Sequence, residues 1–361
     1  MSGGNLFANL VAIFVILPTM ALMGVNAAPP FPLGFYTWGA DIWTDLNSDF
    51  LKFVNMPAVK SISPLGDVWF SVGDDANPGV LQNKSHILPF LKAVRGHSKG
   101  VLYLTYGDFG THNEKALLDF IEELFTWLRA QSQSDLQAVA PFGISLDIEN
   151  AGMAPLVASS LTKLQAYKKK YLGFLPAGHF KIQQVVGGFP DSGTTSFTMD
   201  NADSALYLVY RSYMDDKSSM NLNPGNNLLA RFKWFMTLQC IQCLNPGYTP
   251  RAKISVLVEG ACYVGEYCGE ISFCAQSKFG IDNVLQTFDA FDAQARSAKW
   301  MPPGRFDALM DTPESRYGIH DWHWSRCLYP CAYQSGILHL WQNHLPTGPI
   351  LCQQLAKTPQ R

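Results

Sequence analysis

Charged residues are scarce in this chain and are missing from its beginning. Only 16% of the 361 residues are charged, the net charge is -2, and none of the first 27 residues is Lys, Arg, Asp or Glu. Because there is no block of basic residues, we expect no nucleic-acid partner. No later run is apolar over the roughly 18 residues that a transmembrane helix needs, so we expect no membrane span after the first segment.

The charge-free beginning has the pattern of a secretory signal peptide. Its apolar run, LVAIFVILPTMALMGV, ends at Val25-Asn26-Ala27, a small-residue pattern typical of a cleavage site. A membrane anchor is the alternative, but Pro18 and the short apolar run favour removal. We therefore expect cleavage after Ala27, secretion, and a mature domain of residues 28–361.

Cysteines are missing from the first 239 residues, and all eight lie in the remainder. An even number in an exported chain predicts up to four disulfides, whose pairing stays open. The Cys240-Ile-Gln-Cys243 spacing also fits a metal or redox site, although export favours bridges. The Asn83-Lys84-Ser85 sequon predicts a glycoprotein. The cysteines are Cys240, Cys243, Cys262, Cys268, Cys274, Cys327, Cys331 and Cys352.

Motifs of several other protein classes are missing as well. There is no Gly-x-Ser-x-Gly elbow, which argues against an α/β-hydrolase triad. No phosphate-cradling pattern follows Gly187-Gly188. His320 and His323 flank Asp321, but no third ligand stands at a helical or loop spacing. We therefore expect neither a cofactor nor a metal.

Eight strand-like runs alternate with helical segments such as Asn113–Ala130, which carries its apolar residues on one stripe. Such alternation predicts parallel strands with right-handed connections, and eight units close into a barrel. We predict an α/β fold, a single-domain (β/α)8 TIM barrel with disulfide-stapled loops in its C-terminal half. A doubly wound open sheet is the alternative. The predicted strands are Leu33–Trp38, Asp67–Val72, Val101–Tyr106, Gly143–Glu149, Lys181–Val186, Ala205–Arg211, Ile254–Glu259 and Tyr317–Trp324.

The fourth predicted strand carries the most informative pattern. Strand side chains alternate, so Ser145, Asp147 and Glu149 share one face, and the apolar residues between them share the other. The apolar face is expected against the helices, which turns the polar face into the barrel and puts Glu149 at the C-terminal mouth. Burying two carboxylates is costly unless something uses them. The alternative is a pair satisfied by Arg, Lys or backbone groups.

This strand resembles the active-site strand of family 18 glycoside hydrolases, the chitinases and their lectin-like relatives. Their motif reads Asp-Gly-x-Asp-x-Asp-x-Glu. The chain keeps Gly143, Asp147 and Glu149, whereas Phe142 and Ser145 replace the first two acidic positions.

Four further segments are similar to that family, in the expected order. Gly34–Trp38 resembles its first strand, and Thr105–Asp108 lies where the third strand has Ser-x-Gly-Gly. Leu208–Arg211 matches Met-x-Tyr-Asp on the sixth strand, keeping Tyr210 but carrying Arg211 in place of the acid. Gly318–Trp322 resembles the eighth strand, whose Trp floors the sugar site.

The resemblance implies a secreted hydrolase of N-acetylglucosamine-containing, chitin-like glycans. Glu149 would be the general acid, the N-acetyl carbonyl of the substrate would attack the anomeric carbon, and Asp147 and Tyr210 would hold the acetamido group. Ser145 can hydrogen-bond Asp147 but cannot share a proton with it as an Asp could. Arg211 would pair with a carboxylate, which opposes an acid role. Both departures favour the alternative, a non-catalytic chitinase-like lectin or matrix protein.

Aromatic residues at the barrel mouth suit a carbohydrate partner, because the apolar faces of sugars stack on indoles. Trp322 and Trp324 are the first candidates, with core packing as the alternative. We expect a monomer that binds an oligo- or polysaccharide. The other predicted substrate contacts are Tyr36, Trp38, Tyr106, Asp108, Arg211 and Glu259.

Glu259 also allows a different mechanism. It ends the seventh predicted strand, and retaining glycosidases of the large barrel superfamily carry an acid/base Glu after strand four and a nucleophilic Glu after strand seven. Glu149 and Glu259 would then face each other at about 5–5.5 Å. That superfamily usually has Asn before the first Glu, whereas here Ile148 precedes Glu149 and Asn150 follows it.

Overall fold

Eight parallel strands close into a barrel in the computed structural model of this chain. The structure describes residues 32–37, 49–55, 64–108, 110, 112–148, 152–186, 191–209, 224–259 and 281–321. Within these ranges each strand pairs with the next one, and the last pairs with the first. The strands are β1 (Gly34–Thr37), β2 (Val68–Asp74), β3 (Leu102–Asp108), β4 (Phe142–Ile148), β5 (Phe180–Val186), β6 (Ser204–Leu208), β7 (Lys253–Glu259) and β8 (Tyr317–Asp321).

Helices lie between the strands and bury their apolar faces against the outside of the barrel. After Trp234 the chain continues through a π-helical segment, Phe235–Gln239, and a 3-10 turn, Ile241–Leu244. The described helices are α1 (Asp49–Val54), α2 (Lys84–Arg95), α3 (Glu114–Ala130), α4 (Gln133–Val139), α5 (Ala154–Tyr171), α6 (Ser192–Asn201), α7 (Pro224–Trp234), α8 (Ile281–Ser297), α9 (Arg305–Leu309) and α10 (Pro313–Arg316).

The predicted (β/α)8 barrel is confirmed. Closure occurs between β1 and β8, whose register runs from Gly34 opposite Gly318 to Thr37 opposite Asp321. An open doubly wound sheet would have two edge strands, each paired on one side only. Here every strand is paired on both sides, so that alternative is excluded. The predicted segment Asn113–Ala130 forms α3, with Asn113 as its N-cap, because the Asn113 side chain accepts a hydrogen bond from the backbone N–H of Ala116.

Side chains of the strands alternate between a helix-facing layer and the barrel interior. On β4, Ile144 and Ile148 belong to the larger core between the sheet and the helices. The interior contains a second apolar cluster, in which Tyr36, Trp69 and Tyr103 come from three neighbouring strands. Their rings stack, with centroids 6.1 Å apart for Tyr36 and Trp69 and 5.8 Å apart for Trp69 and Tyr103. The barrel is therefore a filled core, as its eight-stranded size requires.

Two glycines make room for the largest interior ring. Gly34 on β1 and Gly318 on β8 lie opposite each other in register. A Cβ atom added to Gly34 would lie 2.7 Å from the Trp69 ring, and one added to Gly318 would lie 2.8 Å from it. Any larger residue at either position would compete with this indole for the same space.

The export features fall mainly on residues that the structure does not describe. The predicted signal peptide, residues 1–27, lies outside the described ranges, as do Cys262, Cys268, Cys274, Cys327, Cys331 and Cys352. Cys240 and Cys243 form a disulfide. Asn83 of the sequon is exposed just before α2, and its glycosylation stays a prediction. No helix among the described residues is both long and apolar enough to cross a bilayer.

The N-terminal end of the barrel contains a fully buried acid, Asp67. Its Oδ1 accepts hydrogen bonds from the backbone N–H of Val101 at 2.6 Å and from the Ser315 hydroxyl at 2.7 Å. It thereby links the start of β3 to α10, just before β8. Burial, together with the negative charge of Asp311, raises the pKa of Asp67 to about 7, although both hydrogen bonds and the charge of Lys181 oppose the shift.

Replacing Asp67 should change how stability depends on pH. The folded state holds the Asp67 proton more tightly than the unfolded state does. Protonation of Asp67 therefore contributes fully to the free energy of unfolding below about pH 4, and this contribution is lost as the pH rises to about 7. Asp67→Asn cannot ionise. We expect its melting temperature to match the parent near pH 4 and to exceed it at pH 8, measured by circular dichroism.

Asp203→Asn is the matched control for this experiment. Burial alone would raise the pKa of Asp203, but Lys168 and Arg251 lower it below its usual value. The folded state therefore favours the charged form, and Asp203→Asn should lower the melting temperature at pH 8. An Asp67→Asn variant that is less stable than the parent at pH 8 would contradict the role given to Asp67.

Candidate functional site

Asp147 lies inside the barrel near the C-terminal end of β4. The residue is 4% exposed, and its Oδ2 accepts a hydrogen bond from the Tyr36 hydroxyl at 2.9 Å. Tyr36 belongs to β1, which is not a neighbour of β4, so this bond crosses the interior. A buried carboxylate is unfavourable without such partners. The inward direction of Asp147 is the one that strand alternation predicts, and Tyr36 is one of the predicted substrate-contact residues.

Ser145 lies two residues before Asp147 on the same face and has a different partner from the one that the sequence allowed. Its hydroxyl donates a hydrogen bond to Oε1 of Gln183 at 2.9 Å, and it does not bond Asp147. The reason is register, because Ser145 lies directly opposite Gln183 in the β4–β5 pairing. The hydroxyl is thus directed across to β5 and away from the carboxylate.

Gln183 joins side chains of several strands inside the barrel. Its Oε1 also accepts a hydrogen bond from the indole N–H of Trp69 at 2.6 Å, and its amide N–H donates to Ser204 at 3.1 Å. Ser204 and Ser255 in turn lie 3.4 Å apart through their hydroxyl oxygens. All of these side chains are fully buried. This network fixes the floor below Asp147, since every member is held by another strand.

Sequence reasoning missed Gln183, although a pattern was available. In the β5 sequence FKIQQVV, Lys181 and Gln183 are two residues apart and flank the apolar Ile182. That alternation indicates a polar inner face, as on β4. What the pattern could not reveal is the partner, because Trp69 is 114 residues away in sequence.

Two predicted substrate contacts lie on the other side of the sheet. Tyr106 is buried in the helix-facing core, with its ring centroid 4.4 Å from that of Phe120 on α3. Asp108 accepts a hydrogen bond from the backbone N–H of His112 at 3.0 Å, in the segment that leads to α3. Burial, followed by the charge of Asp108, raises the pKa of Tyr106 to about 12, so its phenol stays neutral. Both side chains therefore face away from the barrel interior that contains Asp147, and their contact with substrate stays a prediction.

The remaining candidates are only partly described. Glu259 is the last residue of β7, paired with His320 of β8, so it belongs to the barrel wall. Its side chain lies outside the described part of the structure. Also outside the described residues are Glu149, Tyr210, Arg211, Trp38, Trp322 and Trp324.

The described arrangement presents a fixed hydrogen-bond acceptor inside the barrel. The Tyr36 hydroxyl donates to Oδ2 of Asp147, so this carboxyl oxygen is oriented as an acceptor. Among the described residues there is no cluster of three His, Cys, Asp or Glu side chains that could hold a metal ion.

Comparison with known proteins adds only structural similarity. No protein-family model matches the chain, and no curated protein matches it. Among solved structures, the chain is similar to a GH18 chitinase from Pseudoalteromonas aurantia, with 11% identity over 80% of this chain and 93% of that chain and a TM-score of 0.42. It is also similar to the xylanase and alpha-amylase inhibitor protein XAIP-II from Scadoxus multiflorus, with 9% identity, 80% and 92% coverage and a TM-score of 0.45.

Removing Gln183 should destabilise the barrel more than removing an outer glutamine does. Gln183→Leu leaves the indole N–H of Trp69 buried without its acceptor and takes away the partner of Ser145. Because each buried donor left unpaired costs roughly 1–3 kcal/mol, we expect the free energy of unfolding to fall by about 3 kcal/mol in guanidinium titrations.

Gln165→Leu is the control, since the half-buried amide of Gln165 on α5 donates to the Asn201 carbonyl outside the barrel. We expect a loss below about 1 kcal/mol there. Equal losses for the two variants would contradict a special role for the interior network.

Proposed function

We propose that this chain is a secreted carbohydrate-active barrel that binds N-acetylglucosamine-containing glycans at its C-terminal mouth and hydrolyses them with Glu149 as general acid. The observation that carries the proposal is Asp147, a carboxylate buried inside the barrel near the end of β4 and oriented by the Tyr36 hydroxyl. Asp147 occupies the position of the last Asp in the family 18 motif, two residues before the Glu.

The proposed chemistry divides the work between the two carboxyl groups. Glu149 follows Ile148, the last residue of β4, so strand alternation predicts that it shares the face of Asp147. Glu149 protonates the glycosidic oxygen as the bond to the anomeric carbon breaks. The N-acetyl carbonyl oxygen forms the new bond to that carbon, while Asp147 accepts a hydrogen bond from the acetamido N–H and Tyr210 contacts the same group. Water then attacks the anomeric carbon, its proton passes to Glu149, and the bond to the N-acetyl oxygen breaks.

One observation favours a second candidate, a chitinase-like lectin that binds glycan without hydrolysis. In the family motif an acid occupies the position of Ser145 and can share a proton with the next Asp. Here the Ser145 hydroxyl donates to Gln183, so it takes no part in proton exchange with Asp147. Binding requires only the acceptor at Asp147, whereas turnover also requires a proton at Glu149.

The two functions can be separated with the mature protein and chitin oligosaccharides. We expect the parent to bind them and to release shorter products. Glu149→Gln should keep binding and lose product release by about 10²-fold or more, because a general acid contributes 10²–10⁴-fold. Asp147→Asn should weaken both. Binding is measured by tryptophan fluorescence and products by chromatography.

Asp203→Asn, at the opposite end of the barrel, is the control and should behave as the parent in both measurements. Binding without turnover in parent and Glu149→Gln alike would support the lectin. If Glu259→Gln also abolishes product release, the mechanism with two glutamates gains support. A parent that neither binds nor cleaves the oligosaccharides would overturn the carbohydrate proposal.

A further inference from the structure

Gln184 on β5 is a buried amide in a position that packing alone would give to an apolar residue. Its neighbours on the helix-facing side of the strand, Ile182 and Val186, both belong to the main core. Gln184 is 0% exposed, and its Oε1 has no hydrogen-bond partner within the described part of the chain. An unpaired buried acceptor destabilises a fold, whereas an apolar side chain of the same shape would not. The N–H groups of the amide must therefore account for the presence of Gln184 at this position.

These N–H groups are directed at two backbone carbonyls. Nε2 of Gln184 donates to the carbonyl of Val185 at 2.7 Å and to the carbonyl of Ile148 at 3.3 Å. Ile148 is the last residue of β4 and directly precedes Glu149. A side chain of β5 thus contacts the point at which the chain leaves β4.

The backbone pairing explains why this contact matters. On one side, β3 pairs with β4 as far as Asp108 opposite Ile148. On the other side, the register between β4 and β5 ends at Leu146 opposite Gln184. Among the described residues, the contact of β5 with Ile148, beyond the last register pair, is therefore the hydrogen bond from the Gln184 amide.

We propose that Gln184 is a positioning residue: its amide holds the carbonyl of Ile148 and thereby the end of β4, which directly precedes Glu149 in the sequence. The assignment to catalysis rests on the proposed function, whereas the mechanical link to the end of β4 does not. Gln184 lies on the helix-facing side of the sheet, so it acts through the backbone and does not contact the glycan.

The first test measures amide hydrogen exchange in the mature protein. Gln184→Met keeps a similar volume and removes the N–H donors. We expect exchange to rise about tenfold for the amides of Asp147 and Ile148 at the end of β4, because a hydrogen bond that holds this end is lost, while amides in the middle of β4 keep the parent rate. Gln165→Met, which also removes an amide that donates to a backbone carbonyl, is the control and should leave β4 unchanged.

Gln184→Glu separates the hydrogen bond from packing. Burial favours the neutral carboxyl, whose O–H can donate to the Ile148 carbonyl. We expect this variant to restore the parent exchange pattern at pH 5, which Gln184→Met does not do. Parent-like exchange of the Asp147 and Ile148 amides in Gln184→Met would overturn the proposal, as would a rise spread evenly over the whole of β4.

The second readout is catalytic activity, and its result can be distinguished from that of the exchange experiment. If the parent releases product, Gln184→Met should lower kcat about tenfold and leave KM within about twofold, since the acid is displaced and the sugar-binding surface is not. A change in KM alone would overturn the positioning role. If the parent neither binds nor cleaves glycan, the proposed function fails, and the exchange experiment alone decides whether Gln184 holds the end of β4.

Discussion

The structure depends on how one indole is accommodated inside the barrel. Trp69 is fully buried among the strands, so its ring needs space and its N–H needs an acceptor. The paired glycines Gly34 and Gly318 provide the space, and Gln183 provides the acceptor. Since a buried N–H without a partner is costly, the identity of residue 183 is tied to that of residue 69 across the barrel.

This constraint makes the interior polar on the side of β4. Once Gln183 is in place, its amide also satisfies Ser145 and Ser204. Asp147 lies farther along β4, where Tyr36 reaches it from β1. The interior therefore combines stacked rings with hydrogen-bonded polar groups, because the stacked Trp69 donates to Gln183 and the stacked Tyr36 donates to Asp147 near the C-terminal end of β4.

The opposite end of the barrel has a different character. Asp67 there links β3 to α10 and is kept away from water, with a raised pKa that results first from burial. Lys168 and Arg251 form ion pairs with Asp203, the residue directly before β6. The hydrogen bonds of Asp67 and the ion pairs of Asp203 connect the segments that precede the strands at this end of the barrel. Asp67 and Asp203 thus lie at the end of the barrel opposite Asp147, which allows the acidic residues of the two ends to be tested separately.

Sequence by itself determined the order of strands and helices and the inward face of β4. Alternation of Ser145 and Asp147 with apolar residues is a local property, and burial of the apolar set leaves one direction for the polar set. Tertiary structure alone decided the partners: Trp69 with Gln183, Tyr36 with Asp147, and the amide of Gln184 with the end of β4. Such contacts depend on register and closure of the barrel, and these join residues too distant in sequence for any local pattern to specify.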